Sequence, residues 1–105
     1  MPRWKLRRDG VVLGVIEQTE RDMWNVHGTF TPAASFDPAL ENVFAKKADL
    51  ATRLEDDDSD SLTVEFDDLE QRTSPPHFEL VAEDGRVQAF GLLYVSTTDA
   101  GFRLL

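Results

Sequence analysis

The stretch RLEDDDSDSLTVEFDDLEQ, residues 53–71, sets nine carboxylates in a row of nineteen residues. Clustered acids can hold a divalent cation, and Asp56, Asp58 and Asp60 stand at alternate positions as the first ligands of an EF-hand calcium loop do. The likeness ends there. The loop's sixth position is Ser61, where the sharp turn calls for glycine, and its twelfth is Asp67, where a longer glutamate normally reaches in with both oxygens. What remains is weak, unselective attraction of cations. No metal site and no cofactor is assigned.

The same residues could instead form a docking surface for a basic protein: Glu55, Asp56, Asp57, Asp58, Asp60, Glu65, Asp67, Asp68 and Glu70. A helix expected to end near Glu55 turns partially negative carbonyls toward the first of them. Each well-placed acid there costs up to about 0.3–1 kcal/mol. Helix stabilisation therefore does not account for the run; a cationic partner, a cation or water must offset it. A solvated loop of acidic composition is the alternative, and composition leaves both open.

Other chemistry finds less support. His27 and His77 are the only histidines, and neither has a nucleophile or carboxylate placed beside it by any motif. The serines at 35, 59, 61, 74 and 96 lack a nucleophile-elbow context, and the glycines form no phosphate-binding loop. No catalytic residue is assigned. With no cysteine, disulfides, thiolate zinc sites and cysteine nucleophiles are excluded.

Charge is divided unevenly along the chain. Residues 1–54 carry eight basic and seven acidic side chains, and residues 55–105 carry three and thirteen, giving the total of −9. Such a surface repels nucleic acid and anionic lipid and attracts basic proteins. Neither nucleic acid nor a membrane is expected as a partner. The opening residues contain no apolar signal-like core and no apolar run reaches membrane length, so a cytoplasmic setting is expected.

These residues must be positioned by a small scaffold. In RWKLRRDGVVLGVIE, Asp9-Gly10 signals a type I′ hairpin that would pair Leu6 with Leu13 and Trp4 with Val15, the pairs sharing a core face. The opposite face carries Arg3, Lys5 and Arg7, which could neutralise the acidic half. MWNVHGTFTP reads as a third strand with Trp24, Val26 and Phe30 inward, and Gly28 marks a bulge or a close backbone approach. Asp37-Pro38 opens a helix whose apolar stripe is interrupted only by Lys47. LTVEF alternates as a strand, although Leu62, Phe66 and Leu69 also suit a helix. Asp84-Gly85 signals a second hairpin, with Phe78, Leu80, Ala82, Val87 and Ala89 on one face, and a short last strand runs from Phe102 to Leu105. Strict alternation then places Phe90, Leu92 and Tyr94 opposite Leu93 and Val95, as a possible oligomer contact.

Trp24, Gly28, Phe30 and Pro32, followed by Phe36, Asp37 and Pro38, resemble a strand with a tryptophan ahead of G-x-F-x-P and an F-x-P helix start. Small bacterial α+β proteins combine these with an opening hairpin. The resemblance covers the first half of the chain and implies a small α+β fold without an activity. Some such acidic proteins act as immunity or accessory factors beside toxins.

The expectation is a single α+β domain over residues 1–105, an antiparallel sheet of five or six strands with one main helix on one face. Its expected function is non-enzymatic: an acidic surface that binds a basic protein, as an immunity protein or nucleic-acid mimic would. The alternatives are a small-ligand or metal-binding protein or minor enzyme with a pocket between sheet and helix, and a homo-oligomerising structural subunit such as a homodimer.

Overall fold

The Asp9-Gly10 hairpin forms as its turn chemistry dictates. Both residues adopt positive φ, 51° and 80°, joining β1 (Arg3–Arg8) to β2 (Val11–Asp22). The register slips by one residue beyond Arg7, however. Leu6 lies opposite Gly14 and Trp4 opposite Ile16, with Leu13 as the extra, bulged residue. The core therefore receives Trp4, Leu6, Leu13 and Ile16, while Val11 is exposed. This computed structural model describes residues 2–57 and 59–105.

After β2 the chain turns through Met23 and Trp24 into β3 (Asn25–Pro32), then enters α1 (Pro38–Asp56) and α2 (Asp60–Arg72). Four strands follow: β4 (Phe78–Ala82), β5 (Val87–Gln88), β6 (Phe90–Val95) and β7 (Asp99–Leu104). Among the described residues the count is thus seven antiparallel strands in one sheet and two helices, not five or six strands with one main helix. The strand order is β5-β4-β1-β2-β3-β7-β6. Only Ala89 separates β5 from β6, yet the two lie at opposite ends of that order. A single residue can bridge the ends only if the sheet curls until they meet. That gives the nearly closed, barrel-like form, and it divides what alternation reads as one long strand into two.

Two of the differences come from packing across the chain. Residues 62–70 are helix, because Leu62, Phe66, Leu69 and Thr73 at spacings of four, three and four turn inward together. The second hairpin pairs Leu80 with Gln88 and Val81 with Val87, so Val87 points outward. Trp24, expected in the core, stands 57% exposed in the β2–β3 turn. Gly28 does meet another backbone: a Cβ there would lie 2.0 Å from the Glu17 carbonyl oxygen, beside a bulge in β2. Asp37 caps α1, its side chain accepting the Leu40 N–H at 2.9 Å, and the helix sends Leu40 and Phe44 into the core. There Phe44 meets Phe78 edge to face.

Candidate functional site

The acidic run sits differently from its expected place. α1 ends at Asp56 and α2 begins at Asp60, so the run links two helices instead of trailing one. Glu55 and Asp56 still oppose the C-terminal end of α1. Asp60 lies in the first turn of α2, where the helix dipole favours a negative charge. The electrostatic cost of the run is consequently smaller than one helix would impose. Asp57 accepts the Ser59 N–H at 3.0 Å, and Asp58 lies outside the described residues.

Glu65, Asp67 and Asp68 occupy the outer side of α2, opposite Leu62 and Phe66, with exposed Val64 among them. Asp68 pairs with Arg72 one turn on, at 3.3 Å. Glu70 is set apart from the others. Its Oε1 approaches Lys47 Nζ at 2.5 Å, and its Oε2 accepts the Leu92 backbone N–H at 2.9 Å. It is an internal group, not part of the outer acidic surface.

Lys47, the interruption in the α1 stripe, explains that arrangement. Only 4% exposed, it donates to Thr73 Oγ1 and to the Leu93 carbonyl, both at 2.9 Å, while contacting Glu70. Burial pulls its ammonium pKa below the ordinary value of 10.5, and the Glu70 hydrogen bond and charge oppose that pull. Together the two side chains satisfy two backbone groups on the free edge of β6.

That edge is irregular. Between Gly91 and Tyr94 the register against β7 shifts, and Leu92 takes φ 51°, the left-handed region. The bulge inverts the alternation in mid-strand. Phe90, expected beside Leu92 and Tyr94 on an outer face, is 1% exposed and shares the core with Leu93 and Val95. Leu92 and Tyr94 remain outside, 48% and 41% exposed.

Around them lies an apolar cleft of about 280 Å³ at the junction of both helices with β6, walled by Ala48, Ala51, Phe66, Leu92 and Tyr94, with Lys47 beneath. A second hollow of about 460 Å³ shares Leu92 and continues to Trp24, Leu104 and Leu105. Through Leu92 the apolar surface thus runs from the β2–β3 turn to the helix pair. Alternation had no means of finding Phe66 or Trp24 here, since each reads as core. The one available signal was Lys47, a charge in the middle of an apolar stripe.

The histidines lie elsewhere. His27, on the exposed side of β3, lines a shallow hollow with Glu20, Tyr94 and Asp99. His77 lines another with Arg8 and Arg72. Among the described residues, no three His, Cys, Asp or Glu side chains are placed to hold a metal ion, and no helix is long and apolar enough to cross a membrane. The basic face of β1 is partly neutralised within the molecule, by Arg3–Glu17 at 2.7 Å and Arg7–Glu79 at 3.6 Å. No protein-family model, no curated protein and no solved structure matches the chain.

Proposed function

We propose that the chain is a non-enzymatic protein-interaction domain whose partner is a basic protein segment carrying a bulky apolar side chain. The observation that carries this reading is an apolar cleft walled by Phe66, Leu92 and Tyr94, on a helix pair whose exposed acids outnumber its exposed bases, Lys46, Arg53 and Arg72. The apolar side chain enters the cleft. Lysines or arginines around it meet Glu55, one turn beyond Ala51, and the outer acids of α2, Asp60, Glu65, Asp67 and Asp68.

Two further features support it. Leu92 keeps a non-glycine side chain at positive φ while leaving it half exposed, a strain that recurs where a surface serves a ligand. A second copy docked through the same face would set acid against acid, so a basic partner suits the face better than a symmetric homodimer. A cytoplasmic setting belongs to the proposal, in keeping with a cysteine-free chain.

Affinity capture under native conditions, with identification of the bound protein, tests the proposal. Two variants are compared with the native chain: one with Asp60, Glu65, Asp67 and Asp68 changed to lysine, and Leu92→Glu. The expected result is one basic protein, released by salt and lost from both variants. Retention of the same protein by both variants removes the cleft and the acids from the account.

A further inference from the structure

A hollow of about 360 Å³ opens between the sheet and the helices, at the end of the helix pair away from the acidic link. Its floor is apolar: Leu40 and Val43 from α1, and buried Phe78 from the start of β4. Its polar wall carries two arginines, Arg8 from the end of β1 and Arg72 from the last turn of α2, beside Asp9, Thr73 and His77. On a chain of net charge −9 this local composition opposes the rest of the molecule.

The two guanidiniums are held differently. Arg8 lies with its guanidinium carbon 5.8 Å from the Phe78 ring centroid, and among the described residues it makes no ion pair. Its charge is thus not shared with a carboxylate, and it lies over an aromatic face. Arg72 shares its charge with Asp68 at 3.3 Å in an exposed pair that water already screens. Among the described residues Asp9 is the one carboxylate on the wall, against two arginines.

We infer that this hollow is a binding site for a small amphipathic oxyanion, a carboxylate or phosphate group on a short apolar body. The guanidinium fork matches either group with two parallel hydrogen bonds, one arginine approaching from the sheet and the other from the helix. The body rests on Leu40, Val43 and Phe78. The volume falls in the ordinary range of small-molecule sites, roughly 300–1,000 Å³. Because the protein's overall field repels anions, affinity must come from contacts inside the hollow, and a bare ion gains too few of them.

Phenyl phosphate is the probe, with inorganic phosphate and phenol as separate arms, followed by NMR of the backbone amides and arginine Nε–H groups. The expected result is saturable shifts at Arg8, Arg72 and Val43 with phenyl phosphate. Affinity should fall about tenfold or more when Arg8→Gln and Arg72→Gln are combined, since charge-assisted bidentate bonds are lost. Each single agent should bind more weakly than the combined one. An unperturbed amide spectrum elsewhere in the variant certifies its fold. Absence of saturable shifts, equal affinity in the double variant, or inorganic phosphate binding as well as phenyl phosphate would each overturn the assignment.

Discussion

Two hollows flank the helix pair, and they differ in nearly every respect except their neighbours. One lies beside the free edge of β6, has apolar walls, and sits in the acidic part of the surface. The other lies at the β1–β4 side, has an apolar floor, and is ringed by Arg8, Arg72 and His77. A single hydrogen bond joins them: Lys47 beneath the first hollow donates to Thr73, which lines the second. The difference teaches how a small acidic chain can present opposite faces to opposite charges. The internal lysine is neutralised by Glu70, so neither hollow sees it as a free cation, and the outward charges alone set the character of each.

Removing that joint should produce the largest effect. Lys47→Met leaves Glu70, the Leu93 carbonyl and Thr73 without their common partner. Breaking one side of a buried pair costs roughly 3–5 kcal/mol. Glu70 keeps some contact with water, so a loss of about 3 kcal/mol in urea unfolding is expected. Replacing Glu70 with leucine in the same chain should recover part of it, because the stranded carboxylate goes too. A loss below about 1 kcal/mol in the single variant would mean that the ion pair contributes no more than an exposed one.

The same pair makes a prediction about pH. The folded state holds the Lys47 proton less tightly than the unfolded chain, because burial lowers its pKa from 10.5. Between the two values the unfolded state binds more protons. The lysine's contribution to stability is therefore least favourable below the lowered folded pKa, and it improves as pH rises toward 10.5. Urea unfolding across the alkaline range should show the native chain gaining on Lys47→Met. A declining difference would mean that Glu70, and not burial, governs the proton.

Parts of this arrangement were legible beforehand and parts were not, for physical reasons. Asp9-Gly10 dictated its turn because the required positive φ values are a local matter. Gly28 announced a close backbone contact because no side chain fits there. The fate of Leu92 was not local. A bulge adds one residue at a place chosen by packing on both sides, and one residue reverses the face of everything beyond it. Hence Phe90 passed from expected surface to core, and the apolar cleft became visible only in three dimensions. The acids of residues 62–70 could be counted from the start. Their geometry could not, because LTVEF satisfies both periods and only the continuation to Leu69 and Thr73 decides for helix. Glu70 was indistinguishable in sequence from the acids around it.

Strain supplies a smaller test of the contrast. Leu92 holds φ 51° at the rim of the apolar hollow, whereas the residues lining the cationic one include positive φ only at the hairpin residue Asp9. A non-glycine residue in the left-handed region costs about 1–2 kcal/mol, and glycine carries its own entropic cost of about half that. Leu92→Gly should therefore leave thermal stability unchanged or raise it by up to about 1 kcal/mol. Partner capture should fall, since the exposed leucine is removed. Stabilisation with undiminished capture would show that the strained side chain serves no docking surface.

The smallest expected effect separates binding from folding at the other hollow. Arg72 is exposed and pairs with Asp68 across one helical turn, an arrangement worth about 0.3–0.5 kcal/mol. Arg72→Gln should accordingly change urea stability by no more than about 0.5 kcal/mol, and part of even that comes from weakening the favourable charge at the end of α2. The variant should bind phenyl phosphate several-fold less tightly while capturing the basic partner as before. A parallel loss at both hollows would mean that Arg72 acts by holding α2 in place. Loss at the anion alone assigns the guanidinium to it, because releasing Asp68 from its pair leaves that acid available to the basic partner.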